Sequence, residues 1–247
     1  MLEVESKKNI LVTGATSGIG KGLVISLLQD PENIVYGIGR DEEKISGLLD
    51  KQNFKFIAYD LTDINSIENM FRDKFENVKF DGFVHCAGME ETIPITLYSP
   101  EKVLQIFQIN VFSAIELLRL LSKKKYSENN ASFVLLSSVM GELGQAGKVG
   151  YCASKAALLG VVKSLALELA KREIRVNAVS PGIVNTPLTS QLFQQLDAKN
   201  VDRIKDMHPM GIGKVDDVAD LLCFLLSEKA RWITGQNLKI DGGYSVQ

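Results

Sequence analysis

A short apolar strand, Asn9-Ile-Leu-Val-Thr13, runs directly into Gly14-Ala-Thr-Ser17-Gly18-Ile19-Gly20 and then into a helix. The helix carries an apolar stripe at Leu23, Leu27 and Leu28 and stops at Asp30-Pro31. Glycines between a strand and a helix let the backbone come close to a pyrophosphate, which the free N–H groups and dipole of the helix N-terminus favour. The spacing Gly-x-x-x-Gly-x-Gly differs from the G-x-G-x-x-G fingerprint, and a tight strand–helix turn with no ligand would use the same residues.

The remainder alternates in the same way. Strands are expected at Ile34–Ile38, Phe54–Tyr59, Phe83–Cys86, Phe133–Leu136, Arg175–Val179 and Asn237–Ile240. Helices are expected at Asp41–Leu49, Ile64–Phe75, from Ser99 to about Ser122, at Tyr151–Lys171 and at Val215–Leu226. Ser99-Pro-Glu101 is a helix start, with a capping hydroxyl, Pro in the first turn and an acid near the positive end. A more polar helix, Gln191–Lys205, lies between Pro187 and Pro209 in a segment, about 183–212, expected to be a mobile cover. Seven strands with intervening helices imply an α/β fold: one domain over residues 1–247, with a doubly wound parallel sheet and helices on both faces. Gly14, Gly39–Arg40, Asp60, Ala87–Gly88, Ser138 and Pro181–Gly182 then collect at the carboxyl ends of the strands, where such sheets bind ligands.

The chemistry centres on Tyr151 and Lys155, which are four residues apart and therefore share one face of a helix. A bare Tyr-x-x-x-Lys is common on amphipathic helices. Here Ala153, Ala156 and Ala157 leave room beside it, and a buried strand ends nearby at Ser137-Ser138. A phenol titrates near about 10 and is a poor acid or base at neutral pH. An ammonium about 4 Å away, at an effective dielectric of about 20, favours phenolate by roughly 4 kcal/mol. That is about 3 pKa units, enough to bring the phenol near neutrality. With a Ser hydroxyl holding the same oxygen, the trio suits a carbonyl–alcohol pair but has nothing to accept a hydride, so a cofactor is required.

Composition narrows the field. The chain is 45% hydrophobic and 23% charged, as soluble globular proteins are. Its net charge of −2 gives no bulk electrostatic reason to bind nucleic acid or a membrane. Cys86, Cys152 and Cys223 are scattered without metal-ligand spacing, so the expectation is a reduced, cytoplasmic protein with no metal. With only His85 and His208, a Ser–His triad has almost no material. No 18-residue apolar run appears, and the charged start Met1-Leu-Glu-Val-Glu-Ser-Lys-Lys is unlike a signal peptide.

Taken in order, Thr13-Gly-x-x-x-Gly-Ile-Gly20, Asp60-Leu61, Asn110, Ser138, Tyr151-x-x-x-Lys155, Ser180-Pro-Gly182 with Thr186, and Ile233-Thr-Gly-Gln resemble the short-chain dehydrogenase/reductases along essentially the whole chain. The resemblance implies that Tyr151 is the acid–base residue and that Ser138 orients the substrate oxygen. Lys155 would lower the Tyr151 pKa and hold the nicotinamide ribose. Asn110 would keep a water-linked proton path to Lys155. A nicotinamide cofactor would lie along Gly14, Ser17, Gly18, Ile19, Gly20, Gly39, Arg40, Asp60, Leu61, Ala87 and Gly88, and then along Tyr151, Lys155, Pro181, Gly182, Val184 and Thr186. One departure stands out: His85-Cys86-Ala87-Gly88 replaces the family's usual Asn-Asn-Ala-Gly. His85 is expected to be a strand-end residue satisfied by backbone, Cys86 a small buried residue, and His208 a solvated residue of the cover.

Arg40 stands where an NAD site wants a carboxylate for the ribose 2′-OH, and a guanidinium suits a 2′-phosphate. NADP(H) is therefore preferred, with NAD(H) as the alternative. An apolar cover is expected from Ile183, Leu188, Leu192, Phe193, Met207 and Met210, with Met140 and Leu143. Within the family the chain is nearest to 3-oxoacyl-[acyl-carrier-protein] reductases, which implies an acyl-carrier-protein-bound substrate. Lys171–Arg172 matches one basic docking position and Glu128 the other, which lacks its base. Sugar, polyol, steroid and xenobiotic carbonyls remain open, as does a non-enzymatic dinucleotide sensor. Apolar residues on more than one face of the helices at 99–122 and 151–171 point to a two-fold partner helix pair. The resemblance extends this to a homotetramer with a second interface at the C-terminal strand and last helix.

Overall fold

In the computed structural model, which describes residues 7–194 and 196–246, seven parallel strands form one sheet in the order β3-β2-β1-β4-β5-β6-β7. The strands are β1 Lys8–Thr13, β2 Asn33–Gly39, β3 Phe54–Ala58, β4 Phe80–His85, β5 Ser127–Leu136, β6 Arg175–Pro181 and β7 Asn237–Ile240. The helices are α1 Gly18–Leu27, α2 Ser46–Leu49, α3 Ile67–Lys74, α4 Pro100–Phe107, α5 Ser113–Leu121, α6 Val149–Leu169, α7 Pro187–Gln194, α8 Ala198–Asp206 and α9 Val215–Leu226.

Alternation along each strand sorts the core into two layers. Leu11, Phe83 and Phe133 face a layer completed by Phe71 of α3, Leu117 and Leu121 of α5, and Leu158 of α6. Their neighbours Val12, Val84 and Val134 face the other layer, with Leu23 and Val24 of α1 and Val218 and Leu222 of α9. The aromatic side chains fall mainly on the first face, where Tyr36, Phe75 and Phe80 meet edge-on. Arg175 is buried on β6 and donates to the Leu225 carbonyl at 2.7 Å and the Ser227 carbonyl at 3.1 Å, tying off the end of α9.

The reversal of strand order at β1 positions the site. Thr13 stands level with Ile38 of β2 on one side and His85 of β4 on the other. From there β2 and β3 run one way and β4 to β7 the other, which opens a crevice above the carboxyl ends of β1 and β4.

Several expectations from the sequence need correcting. Asp41–Leu49 is a 3₁₀ turn at Glu43–Ile45 followed by the single α-turn of α2. Gln191–Lys205 is two helices, because the Asp197 side chain accepts from Asn200 N–H at 2.8 Å and starts α8 afresh. The fourth strand begins at Phe80 and ends at His85, so Cys86 lies just beyond it, and β5 begins as early as Ser127. The helical stretch Pro100–Leu121 contains a π-turn at Gln108–Phe112 between α4 and α5. That stretch has the length and apolar character of a membrane span, yet its inner face packs on α6 and the sheet.

Candidate active site

An open cleft of about 1630 Å³ lies over the switch point. Its floor depends on Gly14, which has φ +66°, where a Cβ would stand 2.9 Å from the Ala87 nitrogen and the Cys86 carbonyl carbon. Gly20 is equally constrained, since a Cβ there would lie 2.4 Å from the Gly14 carbonyl oxygen. The turn is thus folded tightly on itself and against β4, and its glycines bring the backbone to the surface of the cleft at the N-terminus of α1. Ser17, Gly18, Ile19, Gly39, Arg40, Asp60, Leu61, Ala87, Gly88, Pro181, Gly182, Val184 and Thr186 all line the cleft, as do Gly14 and Gly20. The cradle at Gly14 and Gly20, where a Cβ would not fit, suits the close backbone approach that a dinucleotide pyrophosphate needs.

Ser138, Tyr151 and Lys155 converge at the other end of the cleft. Ser138 follows β5 and caps the short 3₁₀ turn Val139–Gly141, accepting from Met140 N–H at 3.2 Å. The neighbouring Ser137 hydroxyl donates to the Lys155 carbonyl at 2.9 Å, which fixes α6 against the end of β5. Lys155 is buried, its Nζ donates to the Leu136 carbonyl at 2.8 Å, and it lies 5.7 Å from the centre of the Tyr151 ring. Burial pushes the Lys155 ammonium down to about 8. The expected lowering of the Tyr151 phenol is reversed in the protein alone: burial raises it, and a hydrogen bond with Ser138 pulls it part of the way back.

Asn110 is fully buried inside the π-turn. Its Oδ1 accepts from Met89 N–H at 2.8 Å, and its Nδ2 donates to the Met89 carbonyl at 3.0 Å and to Ser154 Oγ at 2.9 Å. It therefore locks the loop after β4 to α6, rather than presenting a free amide to the cleft. Insertion of one residue in the helix turns this side chain inward, as such bulges do at functional sites.

The two histidines differ from expectation. His85 is satisfied by a side chain: its Nδ1 pairs with Thr13 Oγ1 at 3.0 Å, and that hydroxyl accepts from Ala87 N–H at 3.1 Å. Its Nε2 is buried without a hydrogen bond, facing the Ile109 carbonyl of the π-turn, and burial pushes the imidazole down to about 3. His208 is buried rather than solvated. Its Nε2 accepts from Ile183 N–H at 3.2 Å, its Nδ1 pairs with the Ile204 carbonyl at 2.8 Å, and its ring stacks on Tyr244 at 4.8 Å. The Cys86 thiol is held up at about 12 by burial and is no nucleophile.

Of the expected cover, Ile183, Leu188, Leu192, Met207 and Met140 line the cleft, whereas Met210 is 88% exposed and Phe193 and Leu143 stand outside it. Sequence reasoning missed Glu90 and Lys148, an ion pair beside Tyr151 in which Lys148 is buried and Glu90 half-buried. Lys148 stands three residues before Tyr151 and one turn away, so helical spacing held the signal. It also missed Lys21 and Lys44, which line the end of the cleft near Arg40.

Comparison with known proteins agrees with this geometry. The family model described as Enoyl-(Acyl carrier protein) reductase matches residues 14–245. The chain is a short-chain dehydrogenase/reductase. It is 35% identical to the 3-oxoacyl-[acyl-carrier-protein] reductase of Buchnera aphidicola over 96% of this chain and 97% of that one. Among solved structures, it superposes on 4-hydroxyisoleucine dehydrogenase complexed with NADH at a TM-score of 0.90 and 29% identity, covering 97% and 99% of the two chains. ElxO with NADP bound gives 0.83 and 30%, covering 98% and 100%. The chain is accordingly a nicotinamide-dependent oxidoreductase acting on a CH–OH/C=O pair.

The His208 contacts generate an expectation for the cover. His208→Ala removes an acceptor, a donor and a stacking surface that hold α8 to Ile183 and Tyr244. Limited proteolysis should cut between Pro187 and Asp206 faster in the variant, while the melting temperature drops only a few degrees; unchanged cleavage would show that the cover is held elsewhere.

Proposed function

We propose that the protein reduces a carbonyl with NADPH, with Tyr151 as proton donor, Ser138 holding the substrate oxygen and Lys155 supporting the phenol. The observation that carries this reading is the convergence of the three side chains at one end of a glycine-floored groove. Gly14, Ser17, Gly18, Ile19 and Gly20 would hold the pyrophosphate, and Gly39, Arg40, Asp60, Leu61, Ala87 and Gly88 the adenosine half. Pro181, Gly182, Val184 and Thr186, with Tyr151 and Lys155, would hold the nicotinamide half. When bound, the cofactor supplies the hydride. Asn110 acts by positioning: it keeps the loop at Met89 and the backbone of α6 in register beside Lys155. A dinucleotide sensor would need the groove but not the trio, so turnover separates the two readings. Tyr151→Phe should cut carbonyl reduction by roughly 10²–10⁴-fold. Fluorescence titration should find its cofactor affinity little changed, and residual activity above about a tenth of wild type would reject the assignment.

The preference for NADPH rests on charge. Arg40 is exposed at the tip of β2, with Lys21 and Lys44 lining the same end of the cleft. Asp41 is paired with Lys44 at 3.0 Å, and Asp60 accepts from Thr62 N–H and Oγ1, with Arg40 further stabilising its carboxylate. Both carboxylates near the tip of β2 are thus already engaged within the chain, Asp60 through its Oδ1 and Asp41 through its Oδ2, which makes them weaker partners for a ribose 2′-OH. Arg40→Ala should weaken NADPH about ten- to a hundredfold and leave NADH nearly unchanged, as loss of one charge-assisted bond requires. Equal wild-type affinity for both cofactors would reject the preference.

The names of the relatives make a 3-oxoacyl thioester on an acyl carrier protein the first substrate to test. The docking surface for such a carrier loses one expected residue. Arg172 donates to Asn129 Oδ1 and to the carbonyls of Ser122, Ser127 and Glu128, so its guanidinium is consumed within the chain. Lys171 stays exposed, while Lys123 is paired with Glu68. Three free cysteines suit the reducing cytoplasm.

A homotetramer is the assembly we infer. After the α4–α6 layer packs, Leu104, Phe112, Ile115 and Leu167 keep 50%, 40%, 44% and 82% of their exposure, a face suited to a second copy. Trp232 at 90% and Val246 at 84% lie near the edge strand β7, where the second interface would form. Light scattering at micromolar concentration should give about four times 27.2 kDa. A fully active monomer would reject it.

A further inference from the structure

The family reading leaves one charged feature of the cleft unexplained. Glu90, just after the Ala87–Gly88 turn, and Lys148, at the start of α6, are ion-paired in the wall of the cleft. The Lys148 side chain is 5% exposed and that of Glu90 19%. The Lys148 ammonium lies 5.6 Å from the centre of the Tyr151 ring, as near as Lys155 at 5.7 Å. Among the described residues its Nζ bonds only Glu90, so two of its three protons have no protein acceptor. Glu90 likewise accepts only from Lys148, and its second oxygen faces the solvent of the cleft.

An ion pair with Lys148 buried and Glu90 half-buried is a poor way merely to stabilise a wall, because desolvation offsets much of its attraction. Such a pair with spare donors and a spare acceptor, set beside the proton donor, is a recognition device. It is electrically neutral. A plain anion covering the pair and excluding water from it would leave one uncompensated charge, and so would a plain cation. A ligand carrying both signs completes an alternating arrangement in which every charge has two opposite neighbours. An uncharged aliphatic chain that displaced the water of the cleft from this pair would leave the spare donors and acceptor unsatisfied, which is costly.

We propose that Glu90 and Lys148 are specificity-determining residues that bind an amino-acid-like zwitterion on the substrate. The substrate carboxylate sits on Lys148 and its ammonium on Glu90, with the reacting CH–OH or C=O carbon placed at Tyr151 and Ser138. The inference rests on the oxidoreductase reading above and names the substrate class of that same site. It differs from a fatty 3-oxoacyl thioester, which has no charge beside its carbonyl.

The test compares oxidation of three secondary alcohols of similar size by the full-length protein with NADP⁺: threonine (zwitterion), 3-hydroxybutyrate (carboxylate only) and 2-butanol (uncharged). The expected order of kcat/KM is threonine, then 3-hydroxybutyrate, then 2-butanol. Lys148→Met should lower the ratios of both charged substrates to butanol by about tenfold or more, whereas Glu90→Gln should lower the ratio of threonine to hydroxybutyrate by a similar factor. Glu90→Gln keeps the shape of the side chain, and thermal melts identify a variant that has not folded. Oxidation of butanol or reduction of a 3-oxo thioester with no preference for the zwitterion would overturn this inference alone. So would variants that lower all three rates in parallel, the mark of a purely structural pair. No turnover of any alcohol or thioester with either cofactor would overturn the oxidoreductase assignment of the site along with it.

Discussion

Close contact between the backbone after β1 and the backbone after β4 underlies the rest of this molecule. At Gly14 the chain passes so near Cys86 and Ala87 that a methyl group would not fit. The hydroxyl of Thr13 seals the same junction by accepting from Ala87 N–H while pairing with His85. Because strand order reverses here, the contact opens a crevice on one side and a core on the other. Substitution at Gly14 would therefore disturb the cofactor groove and the pairing of the two central strands together.

The reactive end of the cleft is held by backbone and amide anchors rather than by ion pairs alone. Ser137 fixes the backbone of α6 through the Lys155 carbonyl, and Asn110 joins α6, through Ser154, to the loop at Met89. Both anchors are buried, where an unsatisfied partner is expensive, so the relative placement of Ser138, Tyr151 and Lys155 is stiff. Replacement of the usual Asn-Asn by His85-Cys86 fits the same logic. The Thr13 hydroxyl takes over the polar bonding at the strand end, and the imidazole stays neutral in a fully buried position.

Much of the fold was legible because its signals are local. Short apolar runs, a capping Ser99 and the glycines after β1 each act within a few residues, so the number of strands and their places along the chain followed from them. Boundaries were less legible where side-chain capping or a turn competes with helix continuation. Asp197 restarts the helix in the cover, and the segment after Arg40 is too short and polar to sustain more than one turn. The π-turn around Asn110 has no sequence signature, since its inserted residue is stabilised by contacts with Met89 and Ser154 from other elements.

The sequence by itself determined the class of fold and the candidate reactive trio, because helical spacing and strand ends place those residues whatever packs around them. Only the tertiary structure decided how each charge is spent. Arg172 is consumed by four acceptors in the chain, His208 latches the cover, Lys155 meets the Leu136 carbonyl, and Lys148 turns inward to Glu90. Each pairing joins residues distant in the chain, and burial, which sets its strength and shifts its proton equilibrium, exists only once the sheet and its two helical layers have closed.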